Sequence, residues 1–334
     1  MTATLLDLAA LEQRHPRLKG LATFWQRELA PALGALETER QAALRAFKQR
    51  GLIALLGVAA LVVALMLLVP YGEGTVWALV GALVAGFAGY AWAFAPLGKL
   101  RKQAKAHLVG QVCRFSKLDY AADAAGFPFD EFEAANILPH PHRANLEDGV
   151  AGKVLGVPLA VCDARLIRRQ RKPKGGHSNT TVFQGLLIAT PLPGPPAADA
   201  ILLMPDWGRI GNFLAGLGRR KRVTGLALDP AFDSRYEVFA SDAQAAGERL
   251  NPAVQACLLR LAELNDKTPS LALAGDRLLI VLPRKKDSFE GVSAFKPFDR
   301  PEPLETLLAD IELLVRVVEA LALPSEDEGA PAPS

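Results

Sequence analysis

The sequence predicts an α+β protein: N-terminal helices and a transmembrane helical hairpin, followed by a cytoplasmic, mainly antiparallel β-sheet domain with packed helices. Three observations support this fold class. Two long uncharged runs lie in the first hundred residues, short strand-like segments separated by turns follow from residue 149, and an amphipathic helix pattern comes near the end. Strand segments joined by short turns are typical of antiparallel sheets, and an amphipathic helix must cover an apolar surface.

Shifts in composition divide the chain into five predicted regions. The last is predicted to be disordered because it is polar and rich in proline. The regions are N-terminal cytoplasmic helices (1–50), a transmembrane hairpin (51–98, with spans at about 51–69 and 75–96), a helical connector (99–148), the α+β domain (149–322) and the tail (323–334).

Each apolar run is long enough to cross a bilayer as a helix. The segments "GLIALLGVAALVVALMLLV" (51–69) and "TVWALVGALVAGFAGYAWAFAPLG" (75–98) contain no Asp, Glu, Lys, Arg or His. At a rise of about 1.5 Å per residue, each helix reaches roughly 28 Å or more, which matches the hydrocarbon core. A buried helical hairpin in a soluble protein is the competing interpretation, but uncharged runs of this length exceed ordinary core helices.

The charges that flank the two runs predict the orientation of the hairpin. Four basic residues precede the first run and four follow the second, whereas the turn between them carries only Glu73. By the positive-inside rule, both termini are predicted to lie in the cytoplasm. The basic residues are Arg40, Arg45, Lys48 and Arg50 before the hairpin, and Lys99, Arg101, Lys102 and Lys105 after it.

Small residues recur every four positions on the second run, at Gly81, Ala85, Gly89 and Ala93. This spacing predicts close helix packing, either within the hairpin or with a second copy of the chain. A homo-oligomeric membrane assembly or channel unit is therefore one open functional class. The absence of ionisable residues inside both runs argues against an ion or proton path.

Basic clusters at three predicted loops of the C-terminal domain are the candidate binding residues. A domain held beside an anionic leaflet gains about 1 kcal/mol for each Lys or Arg near the surface, so we predict binding to anionic lipid headgroups or to a protein partner. Solvated loop charge is the plain alternative. The loops lack aromatic residues for base stacking, which argues against nucleic acid. The clusters are Arg168, Arg169, Arg171, Lys172 and Lys174; Arg219, Arg220, Lys221 and Arg222; and Arg284, Lys285 and Lys286.

Recognised catalytic motifs are missing from the sequence, so no catalytic residue and no cofactor are predicted. The three cysteines are far apart, and the "PHPHR" stretch offers two histidines without a third ligand, so no metal site is predicted either. An enzyme acting on a membrane-associated substrate is the alternative, with Asp206 or Asp233 as candidate carboxylates. The densest carboxylate group has flanking residues typical of turns and helix caps. Its members are Asp229, Asp233, Glu237 and Asp242.

Four further segments occur in a characteristic order: "VFQGLLIAT", "LLMPDWGRI", "LDPAFDSRYEVFASDAQAAGERLNP" and "GDRLLIVLP". Together with the hairpin upstream, this order resembles the bacterial DUF 3137 family, a domain of unknown function carried by proteins with two N-terminal transmembrane spans. The resemblance covers roughly residues 150–320, and it departs at Ala245–Gly247, where the family pattern has an acidic residue. It implies an architecture and a location in the bacterial inner membrane, and it transfers no catalytic residue.

Overall fold

The computed structural model describes residues 12, 19–68, 72–171, 175–192, 194, 196–205, 220–290, 292–298 and 302–321. The predicted tail at 323–334 and most of the first eighteen residues lie outside this part of the chain. Contacts divide the protein into two compact units. The first is Met1–Gln111 with Glu290–Thr306, and the second is Val112–Phe289 with Leu307–Ser334.

Two long helices form the first unit. A helical turn (Leu21–Phe24) and a π-helical segment (Trp25–Leu29) lead into α1 (Ala30–Leu68), and α2 (Glu73–Phe115) is the next helix. A proline within an N-terminal helical pattern predicts a division of the helices at Pro31, but the chain stays helical through it. The π-helical segment directly before Pro31 has a wider turn, which accommodates the missing proline N–H.

The helix pair exposes a large apolar surface. Both helices have the length and composition to cross a membrane. Side chains such as Leu67, Leu68 and Phe87 are 70–81% exposed, whereas Ala93 and Leu97 are buried. Contiguous exposed apolar surface of this extent is typical of lipid-facing helices and rare on soluble monomers.

A nine-stranded antiparallel sheet forms the second unit, with the strand order β1-β2-β3-β4-β9-β8-β5-β7-β6. This confirms the predicted fold class. The strands are β1 (Leu118–Ala121), β2 (Arg143–Val154), β3 (Val157–Arg171), β4 (His177–Pro191), β5 (Ala197–Pro205), β6 (Lys221–Arg222), β7 (Tyr236–Ala240), β8 (Ser270–Gly275) and β9 (Arg277–Pro283). The helices are α3 (Phe129–Ala135), α4 (Pro230–Asp233), α5 (Ala243–Arg249), α6 (Pro252–Ala262) and α7 (Glu302–Leu321).

Both faces of the sheet are covered. On one face Phe132 and Ile137, in and after α3, belong to a buried cluster with Cys162 and Leu187 of the central strands. Successive strand residues point to opposite faces. Since the intervening residues, such as Val161, are also buried, the second face is covered too.

Several local predictions can be compared with these elements. The sequence predicts a hairpin turn at Ala274–Arg277, and the β8–β9 hairpin forms there. It also predicts a helix over 242–265 that breaks near Asn251, and the Asn251 side chain caps α6, which begins at Pro252. The apolar pattern of "RVTGLALD" (222–229) predicts a strand, and this prediction is wrong beyond Arg222. Gly225 adopts a positive φ of 80°, and Asp229 already caps α4. The predicted helical connector also supplies β1 and the start of β2.

Candidate anion-binding site

The first basic cluster lies on a two-stranded arm at one end of the sheet. β9 pairs with β4 only as far as Pro283, opposite Gly185, with one further hydrogen bond from the Arg284 N–H to the Gln184 carbonyl at 2.9 Å. Beyond that point β4 continues with β3 alone. We define the arm as Arg168–Arg171 paired with His177–Thr180.

The arm carries positive charge that no carboxylate of the described residues pairs with. Arg169 and Arg171 are exposed, and Arg168 is half-buried, with its Nε donating to the His140 carbonyl at 3.3 Å. Among the described residues, several arginines form ion pairs with carboxylates, but these arginines do not include Arg168, Arg169 or Arg171. The predicted cluster members Lys172 and Lys174 lie outside the described part of the chain. The arm thus offers uncompensated cationic groups to an external anion.

The cluster after β9 is divided between an internal and an external role. Arg284 forms an ion pair with the buried Asp310 at 2.6 Å and donates to the Ser288 hydroxyl at 2.9 Å. Lys285 and Lys286 are both exposed. Arg284 therefore contributes to the local polar network, and the two lysines are the members that remain at the surface.

The cluster at 219–222 is largely engaged within its own unit. Arg220 pairs with Asp199 at 3.0 Å and donates to the Ala135 carbonyl at 2.8 Å, while Arg222 pairs with Glu237 at 3.0 Å. Lys221 is exposed. Arg219 lies outside the described residues. Most of the charge on the described arginines here is already compensated by carboxylates.

Strand registers place the clusters at two different ends of the sheet. Pro283 is the last residue of β9 and lies opposite Gly185 of β4. The arm and the pair Lys285–Lys286 both lie beyond this end of β9. β7 begins at that end with Tyr236, and Lys221 pairs with Ala240 at the far end of β7. The arm and the β9 cluster can therefore face one surface together, whereas the 219–222 cluster faces away from it.

The small-residue stripe of α2 also divides into two parts. A Cβ at Gly89 would lie 2.8 Å from the Ala54 Cβ of α1, and Ala93 is buried. Gly81 is exposed, with nothing within 4 Å of its Cβ position, and Ala85 is half-buried. The stripe therefore packs within the helix pair at Gly89 and Ala93, whereas it is exposed at Gly81.

The described carboxylates that the sequence singled out lie at turns and helix caps, except Glu237, which lies on β7. Asp229 accepts from the Ala231 N–H, and Asp242 accepts from the N–H groups of Gln244 and Ala245. Asp233 is exposed at the end of α4. Asp206 lies outside the described residues. The described carboxylates of this group are therefore not brought together into a pocket.

A different carboxylate cleft, which sequence reasoning missed, lies between β2, β3 and the segment after β9. Asp148 and Asp163 are buried in it, and Asp148 accepts from the Tyr120 hydroxyl at 2.7 Å. Asp163 accepts from the Ser288 N–H. Burial raises the pKa of Asp163 to about 6, the Ser288 hydrogen bond opposes this, and the charges of Asp287 and Asp148 add to it. An aspartate inside the apolar strand "VPLAVCDARL" was the available signal.

The cleft is too small for a substrate. Its volume is about 70 Å³, whereas small-molecule sites occupy roughly 300–1,000 Å³. In the part of the chain that the structure describes, no group of three or more His, Cys, Asp or Glu side chains is arranged to hold a metal ion. The cleft lining is formed by Asn145, Glu147, Asp148, Asp163, Arg165 and Asp287.

Fold and surface features together define a protein with two apolar helices of membrane-spanning length and a C-terminal α+β domain. Residues 181–323 match the family described as "Protein of unknown function (DUF3137)". This confirms the predicted resemblance for that part of the chain, which begins within β4 and leaves Arg168–Arg171 outside. No curated protein and no solved structure matches the chain.

Proposed function

We propose that this protein is an integral membrane protein whose helix pair anchors the sheet domain on the cytoplasmic side of a bacterial inner membrane. The two charge-free runs support the spans, and the basic flanks of both runs support the orientation. In this arrangement the chain enters and leaves the bilayer on the same side. The sheet domain is then held permanently near the anionic leaflet.

The activity we propose is binding of anionic lipid headgroups by the arm, together with Lys285 and Lys286. One observation carries it: among the residues that the structure describes, no carboxylate pairs with the arm arginines, whereas carboxylates compensate Arg220, Arg222 and Arg284. Each cationic group near an anionic surface contributes about 1 kcal/mol, so three arginines suffice to orient a tethered domain. An acidic protein partner would use the same charges, and the experiment below separates it from lipid.

The test compares the full chain in nanodiscs of phosphatidylcholine with the full chain in nanodiscs that also contain phosphatidylglycerol. Hydrogen exchange of the peptide covering His177–Val182 reports on the arm. We expect slower exchange in the anionic nanodiscs. Raising NaCl to about 1 M, where the screening length is about 3 Å, should remove the difference because the contact is electrostatic.

Two single-charge variants complete the design. Arg171→Gln removes a charge from the arm, and Lys153→Gln removes one from the opposite end of the sheet, where Lys153 pairs with Pro158. Protection of the arm should weaken in Arg171→Gln and stay unchanged in Lys153→Gln. Equal exchange in both kinds of nanodisc would rule out headgroup binding by the arm and would leave an acidic protein as the ligand to pursue.

A further inference from the structure

A segment far along the sequence packs on the two long helices within the first unit. We call residues 290–298 the strap; residue 291 lies outside the described part. Glu290 pairs with Lys105 at 2.9 Å and with Arg101 at 3.3 Å, both in α2. The strap therefore begins with a charged attachment to the helix that follows the second apolar run.

The other end of the strap is held by α1. The Phe298 N–H donates to Glu37 at 2.9 Å, and Arg40 donates to the Ala294 carbonyl at 3.4 Å. Arg40 also lies 5.7 Å from the centroid of the Phe298 ring and pairs with Glu37 at 2.7 Å. Glu37 and Arg40 are both buried, so these contacts fix the strap in one position.

Between these attachments the strap presents one aromatic side chain to an aromatic cluster. The Phe295 ring lies 6.0 Å from Phe47 of α1 and 5.9 Å from Phe94 of α2. Tyr90 stacks on Phe94 at 6.0 Å. Although it touches these rings, Phe295 is 55% exposed, and the next residue, Lys296, is exposed as well.

The cluster is located where the apolar runs end. Phe47 precedes the first run by about one turn, and Tyr90 and Phe94 occupy the last two turns of the second run. At the same level the Arg50 guanidinium lies 5.0 Å from the Trp92 ring centroid. Aromatic rings combined with basic side chains are typical of the boundary between hydrocarbon and water.

We infer that the strap is an interfacial lipid anchor, in which Phe295 enters the boundary between headgroups and acyl chains and Lys296 contacts headgroup phosphates. The inference rests on the proposed transmembrane helices and adds a third point of membrane contact to them. We assign the phospholipid interface as the partner of the strap because the exposed Phe295 ring, the adjacent Lys296 ammonium group and the aromatic cluster lie at the same depth in the proposed bilayer. Apolar groups at such positions lie about 5–10 Å into the interface.

Site-directed nitroxides on the full chain in nanodiscs test this inference. The native Cys113, Cys162 and Cys257 are buried, so a thiol label reports on introduced cysteines. Phe295→Cys probes the strap, and Leu155→Cys is the matched control, since Leu155 is also 55% exposed but lies on the β2–β3 turn. Val84→Cys, at a position 60% exposed in the second apolar run, reports on the span itself.

We expect the label at Phe295 to be several-fold less accessible to a water-soluble nickel chelate than the label at Leu155, and more accessible to oxygen. A label at Lys296→Cys should show a shallower depth. If the label at Val84 has the accessibility expected in lipid while the label at Phe295 is as accessible to the nickel chelate as the label at Leu155, the anchor is overturned and the proposed span stands. If Val84 also matches Leu155, the proposed transmembrane helices fail and the anchor fails with them.

Discussion

Gly89 of α2 lies against Ala54 of α1 so closely that a Cβ at position 89 would be 2.8 Å from the Ala54 Cβ. Real Cβ contacts are longer, so any side chain at this position must push the helices apart. Gly81, two turns earlier on the same stripe, has open space around its Cβ position. The two glycines therefore separate packing within the hairpin from any contact with a second copy of the chain.

Gly89→Leu should destabilise the hairpin, whereas Gly81→Leu should leave it intact. Overpacking typically costs about 1–3 kcal/mol, which a thermal melt of the detergent-solubilised chain will show for Gly89→Leu alone. Light scattering gives the protein mass of the same samples. A lower mass in Gly81→Leu would place a second copy against the open part of the stripe, and an unchanged mass would remove the support for assembly through it.

Asp163→Asn should stabilise the protein at neutral pH and have no effect in acid. The pKa of Asp163 is raised from 3.8 to about 6, so the native state favours the protonated carboxyl. Its ionisation cost is absent below about pH 4, grows as the pH rises, and is complete above pH 6. A shift of this size corresponds to at most roughly 3 kcal/mol.

Thermal melts at pH 7.5 and pH 4 measure this difference. Asparagine retains an oxygen that accepts from the Ser288 N–H, so the comparison isolates the charge. The exposed Asp266→Asn is the control, with an expected effect within about 0.5 kcal/mol. If Asp163→Asn raises the stability by the same amount at both pH values, the raised pKa of Asp163 is not the cause.

Much of the architecture could be predicted from the sequence because its signals are local. The spans follow from runs without charge, and the strands follow from short apolar segments between turns. The β8–β9 hairpin and the break at Pro252 depend on a few adjacent residues. At 222–229, by contrast, the apolar pattern predicted a strand that the positive φ of Gly225 does not allow.

The polar contacts could not be predicted, because they join residues that are distant in the sequence. Ser288 reaches Asp163 across 125 residues, and Phe298 reaches Glu37 across 261. No periodicity connects such positions. For the same reason the three basic clusters appeared equivalent in sequence. Asp310 compensates Arg284, whereas the arm arginines have no such partner in the described part of the chain.

Arg284→Ala and Lys286→Ala should therefore differ, although both remove a basic residue from one loop. Loss of Arg284 leaves the buried Asp310 with the Phe289 N–H but without its cation. Breaking a fully buried pair costs about 3–5 kcal/mol, and we expect about 2 kcal/mol because the Arg284 side chain is 31% exposed. Lys286→Ala should change the melt by less than about 0.5 kcal/mol. Equal melting temperatures for the two variants would mean that Arg284 contributes no more to stability than an exposed surface lysine.

Glu37→Gln should loosen the strap at neutral pH. The hydrogen bond from Arg40, aided by those from Phe298 and Gln41, lowers the pKa of Glu37 from 4.5 to about 2, against the opposing effect of burial. The stabilisation is therefore present above about pH 4.5 and is lost as the pH falls towards 2. Glutamine removes the carboxylate charge that Arg40 faces in this buried pair, which costs about 3 kcal/mol.

Hydrogen exchange of the peptide that contains residues 292–298 measures the loss. A cost of about 3 kcal/mol corresponds to roughly 100-fold faster exchange of the Phe298 amide, if exchange requires release of the strap. Glu39→Gln is the matched control, since Glu39 lies two residues further along α1 and is exposed. Exchange in Glu39→Gln should equal that of the unmodified chain. Should Glu37→Gln also leave it unchanged, the strap is held by its Glu290 contacts and its apolar packing, and the Glu37–Arg40 pair is dispensable for it.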